Sequence, residues 1–156
     1  MALSIGDLAP NFELINQHGE KISLASYKDK KNVVVIFYPF AFSGICTGEL
    51  CALRDDLSAF QNENVELIAI SCDPMYANKV FAEKEGYKFQ VLSDFWPHGA
   101  IAKAYGTFEE SRGCAKRGTF IIGKDGNARA LMWKQVFVTC VVFQVAKLIS
   151  WRHSRS

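Results

Sequence analysis

The sequence has little of what would mark several functional classes. Its three histidines, His18, His98 and His153, are scattered, and no Cys-x-x-Cys pair occurs. Cys46 and Cys51 have a spacing that zinc ligands can use, but no second pair follows, so a structural zinc site lacks half of its ligands. No metal and no cofactor is expected. The formal net charge is only +2, too small to point to nucleic acid as the main partner. No apolar run approaches the roughly 20 residues of a membrane helix, so no membrane partner is expected. The first residues, "MALSIGDLAPNFEL", carry neither the basic start nor the long apolar stretch of a secretory signal, and a cytoplasmic chain is the expectation. Thiols stay reduced in that compartment, and the odd count and scattered positions of the five cysteines, 46, 51, 72, 114 and 140, argue against a disulfide framework.

What is present is ordinary for one globular domain: 156 residues, 49% apolar and 22% charged. "NFELIN" alternates, "QHGE" turns, and "KISL" can return as a second strand. "NVVVIFYP" and "VELIAIS" are continuous runs of the kind buried on both faces of a sheet. Between them, helical spacing runs from Gly44 to about Gln61, with Leu50, Leu53, Leu57 and Phe60 on one stripe. "DPMYANKVFAEKEG" predicts a helix that Asp73 can cap and Gly86 can end. "FQVLSD" reads as a strand, "PHGAIAKAYG" as a short helix, and "RGTFIIGKDGNARALMW" as two strands around an Asp125-Gly126 turn. A hairpin, three alternating strands and helices, and a final hairpin predict an α/β chain. Its central mixed β-sheet has helices on both faces, an arrangement that a thioredoxin-like fold satisfies.

Residues 1–125 hold 13 Lys and Arg against 16 Asp and Glu, whereas residues 126–156 hold five basic residues and no acidic one. The expected division is a domain over 1–135 and an atypical basic and apolar tail over 136–156. Periodicity leaves "VFVTCVVFQVAKLIS" open between strand and helix.

The stretch "YPFAFSGICTGELC", residues 38–51, concentrates the chemistry. Cys46 lies where a buried strand gives way to a helix start, whose free N–H groups and dipole favour a thiolate. Pro39 breaks the strand ladder and turns the loop. Ser43 puts a hydroxyl three residues before the sulfur, able to bond a thiolate or a bound oxygen. The bland alternative makes Ser43 a helix cap and Cys46 a small core residue. A Cys–His dyad would need a histidine folded beside Cys46, and His98 is the only candidate.

The segment "FYPFAFSGICTGEL" resembles the active-site signature of peroxiredoxins, Pro-x-x-x-Thr/Ser-x-x-Cys. "SDFWPHGAIAKAYG" and "RGTFII" are similar to later segments of that family. The similarity covers about residues 3 to 135 and is greatest to the alkyl hydroperoxide reductase E type, usually described as one-cysteine enzymes. The resemblance implies a thiol peroxidase that reduces hydrogen peroxide and organic hydroperoxides. Cys46 would be the peroxidatic cysteine, Ser43 would hold the peroxide, and Pro39 would shield the sulfur. Arg117 would keep the thiolate charged, its guanidinium being a fixed, permanent cation. Glu49, one turn after Cys46, matches an acidic residue near this site, with a solvated helix charge as the plain alternative. Trp96 is expected to serve packing. The implied partners are a hydroperoxide and a thiol reductant: mycoredoxin, thioredoxin or a low-molecular-weight thiol. A homodimer is compatible with the family.

Two departures stand out. Cys51 replaces a non-cysteine residue of the E type, and its Cys-x4-Cys spacing is that of the Q-type peroxiredoxins, which resolve internally. It is therefore a resolving candidate, while Cys72 and Cys114 are expected to be spectators, Cys114 with a second option as a resolving thiol on a mobile loop. The segment after "MWKQ" also departs from the family's terminal helix. Two rival functions are a thioredoxin-fold disulfide reductase, which the missing Cys-x-x-Cys disfavours, and a non-catalytic interaction protein associating through its apolar tail.

Overall fold

The computed structural model describes residues 3–132 except 56, 58–60 and 62, and of residues 45–47, 49 and 132 the backbone alone. The chain begins with the hairpin β1 (Glu13–Ile15) and β2 (Lys21–Ser23), followed by a 3-10 turn at Leu24–Tyr27. Then come β3 (Asn32–Phe37), α1 (Gly44–Asp55), β4 (Val65–Ser71), α2 (Met75–Glu85), β5 (Gln90–Ser93) and α3 (Ala100–Ala104). A small arm, β6 (Phe108–Glu109) and β7 (Cys114–Ala115), precedes the closing hairpin of β8 (Gly118–Ile122) and β9 (Ala128–Met132). Seven strands form one sheet in the order β2-β1-β5-β4-β3-β8-β9. β3, β4 and β5 are parallel, and the flanking pairings are antiparallel, so the sheet is mixed as expected.

The two-residue period of β3 divides the core. Val34, Ile36 and Tyr38 pack with Leu50 and Leu53 of α1 and with Phe81 and Ala82 of α2. Val33, Val35 and Phe37 pack with Leu24 and with Ala102 and Tyr105 at α3. Helices therefore cover both faces, which is why the central strands read as unbroken apolar runs. On the α1 face, Tyr38 donates its hydroxyl to Asn78 Oδ1 at 3.2 Å, which gives that buried hydroxyl an acceptor.

Some local expectations need correction. Asp73 does not cap α2; Pro74 holds the N-cap position without a side-chain bond. Gly86 does end that helix, in the left-handed conformation at φ 71°. Gly99 precedes α3 at φ 71°, and a Cβ there would run into the Phe108 ring, so this position takes no other residue without strain. The β6–β7 arm was not foreseen, because two-residue strands carry no periodicity. Trp96 is 82% exposed and packs no core, contrary to expectation. The turn at Asp125-Gly126 forms as expected, with Asp125 Oδ1 accepting the Asn127 N–H at 3.0 Å. Phe60 and the 136–156 tail with Cys140 lie outside the described residues.

Candidate active site

β3 runs down the middle of the sheet and ends at Phe37, so the chain leaves the core at Tyr38 and Pro39, both buried. Pro39 has no N–H to give to a ladder, and the strand stops before it. The loop then crosses Phe40, Ala41, Phe42 and Ser43 before α1 begins at Gly44. Cys46 is the third residue of α1, at the strand-to-helix junction the sequence predicts. Its backbone lies in the first turn, where main-chain N–H groups lack helical acceptors and the dipole is positive. The side chains of Cys46 and Glu49 lie outside the described residues. Ser43 is half-buried and donates its own N–H to Phe40 O at 3.4 Å.

The pairing of β3 with β8 brings in the distant partner. Phe37 is opposite Gly118, so Arg117 stands beside the point where β3 enters the Pro39 loop. Arg117 is half-buried, and its Nη1 is fully so. A run distant in sequence thus brings Arg117 to the end of the strand that carries the Pro39–Cys46 segment. Among the sequence-predicted residues, Pro39, Ser43, Arg117 and the helix start of Cys46 gather at one end of the sheet.

Several groups that build this loop were not singled out from sequence. Asp73 Oδ2 accepts the Ala41 N–H at 2.8 Å, tying the loop to the end of β4. Ser93 in turn donates to Asp73 O at 2.6 Å and fixes that segment against β5. Phe42 sits at φ 69°, a conformation that a bulky residue rarely adopts, with its ring 5.0 Å from the Phe81 ring centre. The Arg112 guanidinium lies 5.1 Å over the Phe40 ring, linking the β6–β7 arm to the same loop. Acidic residues after a buried strand are a recognisable signal, but the partner of Asp73 is set by tertiary contact.

Other candidates separate from the site. His98 has Nδ1 3.1 Å from Phe95 O and Nε2 2.7 Å from Gly113 O, which leaves neither ring nitrogen for a thiol partner. Cys72 is buried just after β4, and burial pushes its thiol up to about 12, with the Asp94 carboxylate adding to the effect. Cys114 is not in a loop: it is fully buried in β7, opposite Glu109. Among the described residues, no group of three or more His, Cys, Asp or Glu could hold a metal ion.

Comparison with known proteins supplies the identity. The model of the AhpC/TSA family matches residues 5–131. Alkyl hydroperoxide reductase E of Mycobacterium tuberculosis is 45% identical over 133 residues, covering 85% of this chain and 87% of the relative. Peroxiredoxin Bcp of Escherichia coli is 34% identical over 130 residues, covering 80% and 81%. The crystal structure of peroxidoxin BcpB from M. tuberculosis superposes with a TM-score of 0.85 at 27% identity, covering 93% of this chain and 97% of that one. The resemblance to the E type and the thioredoxin-like fold are both borne out. A cysteine at a strand-to-helix junction, an arginine delivered by the neighbouring strand and these similarities agree: the chain belongs to the AhpC/TSA family and is a peroxiredoxin, a thiol-dependent peroxidase.

Proposed function

We propose that Cys46 is the peroxidatic sulfur and that Pro39, Ser43 and Arg117 form its surroundings. The observation that carries this reading is the register of β8 on β3, with Phe37 opposite Gly118, which puts Arg117 at the strand end that leads to Cys46. The Cys46 thiolate attacks the terminal oxygen of a hydroperoxide. The S–O bond forms, the O–O bond breaks, and the leaving oxygen takes a proton to depart as water or alcohol. The sulfur is oxidised to a sulfenic acid and the peroxide is reduced. A cation and N–H donors around the site favour both the thiolate and the developing oxyanion. Ser43 offers a hydroxyl to the bound oxygen, Pro39 shields the sulfur from bulk water, and Glu49 contributes a carboxylate one turn further along.

Cys51 is proposed as a conditional resolving thiol, with an external thiol (mycoredoxin, thioredoxin or a low-molecular-weight thiol) as final reductant. Positions i and i+5 of an intact helix face about 140° apart, so the Cys46–Cys51 bond requires the first turns of α1 to open. Gly48 supports this, because a Cβ there would meet nothing within 4 Å, so the glycine serves no close packing. A cytoplasmic setting supplies such reductants, and no helix among the described residues is long and apolar enough to cross a membrane. A homodimer and the division of the chain at 135 belong to the same reading; the family match ends at residue 131.

Replacing Cys46 by serine tests the assignment. Peroxide consumption with any of the three reductant classes is expected to vanish in C46S, and near-normal turnover would show that another thiol does the chemistry.

A further inference from the structure

Cys51 lies half-buried on α1 with its sulfur turned to the end of α2. Sγ is 3.4 Å from Glu85 Oε2 and 3.5 Å from the Tyr87 hydroxyl. Arg54, the next turn of the same helix, donates Nη1–H to Glu85 O at 2.6 Å and lies 3.9 Å from the Glu85 carboxylate. Its Nε–H binds Asp55 at 2.9 Å. Among the described residues, the charged and titratable groups around this sulfur are therefore Arg54 and Asp55 from α1, Glu85 from α2, and Tyr87 from the segment before β5.

Donor and acceptor roles follow from the chemistry of each group. An ionised carboxylate only accepts, so the thiol hydrogen belongs on Glu85. The Tyr87 phenol is pushed up by burial and then by its contact with Cys51, so it keeps its proton and can donate to the sulfur. The two contacts hold the sulfur at the end of α2, and it must leave them before it can bond to a sulfenic sulfur at the start of α1. Arg54 meanwhile satisfies a carbonyl at the end of α2 and anchors the later half of α1 to it. The turns before Arg54 can open while Glu85 keeps its place.

We propose that Glu85 is a latch on Cys51: it takes the thiol hydrogen, holds the sulfur against α2, and withholds it from resolution until the start of α1 opens. Its consequence for the catalytic cycle rests on Cys51 being the resolving thiol. In that step Cys51 loses its proton and its sulfur bonds to the Cys46 sulfenic sulfur. The S–O bond then breaks, and hydroxide leaves with one proton as water. Glu85 is a positioning residue here and touches no peroxide.

The latch is read by the rate of Cys51 alkylation with iodoacetamide at neutral pH, mapped by peptide mass in chains carrying C46S. Glu85→Gln replaces the charged acceptor of the thiol hydrogen by a weaker neutral one and is expected to speed Cys51 alkylation severalfold. Tyr87→Phe removes a donor that a thiolate would use and leaves Glu85 in place, so it should not speed the reaction. Simple loosening of the packing would speed both variants. No acceleration in E85Q, or equal acceleration in both, overturns the latch. In chains that keep Cys46, E85Q should also hasten the Cys46–Cys51 linkage after one equivalent of peroxide. A linkage that forms at the same rate with and without Glu85 overturns the latch and leaves resolution by Cys51 standing. Alkylation that separates as stated, with no linkage in any chain, supports the latch and removes Cys51 from the cycle.

Discussion

Asp73 is the residue whose role differs most from what its neighbours in sequence suggest. An acidic side chain before a helix ordinarily caps it, yet this one turns away from α2 and accepts the Ala41 N–H of the loop before Cys46. Hydrogen bonds to charged groups are among the stronger ones, and this one restrains a loop that also carries Phe42 at positive φ. Asp73→Ala should therefore leave the fold intact but slow the peroxide step by about tenfold, because small displacements of a reacting group are costly. Asp73→Asn keeps an acceptor oxygen and should recover most of the rate. Stopped-flow oxidation at several peroxide concentrations measures both; equal rates in the wild type and the alanine variant would remove Asp73 from the site's support.

At the scale of the element, α1 is built with a firm back and a weak front. Leu50 and Leu53 are buried against the sheet, and Arg54 ties to α2. Gly44 and Gly48 stand at open positions where a Cβ would meet nothing within 4 Å. Glycine in a helix interior costs about 1 kcal/mol relative to alanine, and no packing contact at Gly48 offsets it. Gly48→Ala should strengthen the first turns and slow the Cys46–Cys51 linkage about fivefold, the rate equivalent of that energy. Timed quenching and peptide mapping after one equivalent of peroxide would show it. An unchanged rate would mean that helix opening does not limit the step.

For the whole molecule, two helical layers on one sheet leave a polar group deep in the structure. Asp94 is 2% exposed and accepts N–H bonds from Ile101 and Ala102 at 3.1 and 2.9 Å, closing the start of α3. Burial raises its carboxyl above the ordinary value, and those two bonds only partly oppose it. A carboxyl raised in this way binds more protons in the folded state than in the unfolded one. The stability contributed by neutral Asp94 is full below the ordinary carboxylate value of about 3.9 and is lost as pH rises through the raised one. The stability of the wild type minus that of Asp94→Asn should accordingly fall between about pH 4 and pH 7. Urea midpoints at the two pH values check this; a difference that grows with pH would mean that the hydrogen bonds outweigh burial.

The sequence by itself determined the order of strands and helices, because apolar period and turn residues are local. The unbroken run at Asn32–Phe37 reads as a strand covered on both sides, and Gly86 and Asp125-Gly126 mark where elements end. It also determined that Cys46 stands at a helix start, since Pro39 and Gly44 bracket the loop. Tertiary structure alone decided what comes together from afar. The strand register sets Gly118 opposite Phe37, and with it the neighbourhood of Arg117. Asp73 was drawn to a loop instead of a cap, Cys114 was taken into a buried arm, and Trp96 was left in solvent. The contact of Cys51 with Glu85 joins residues 34 apart on two helices. Such pairings follow from how the layers pack against one sheet, and spacing along the chain carries no record of them.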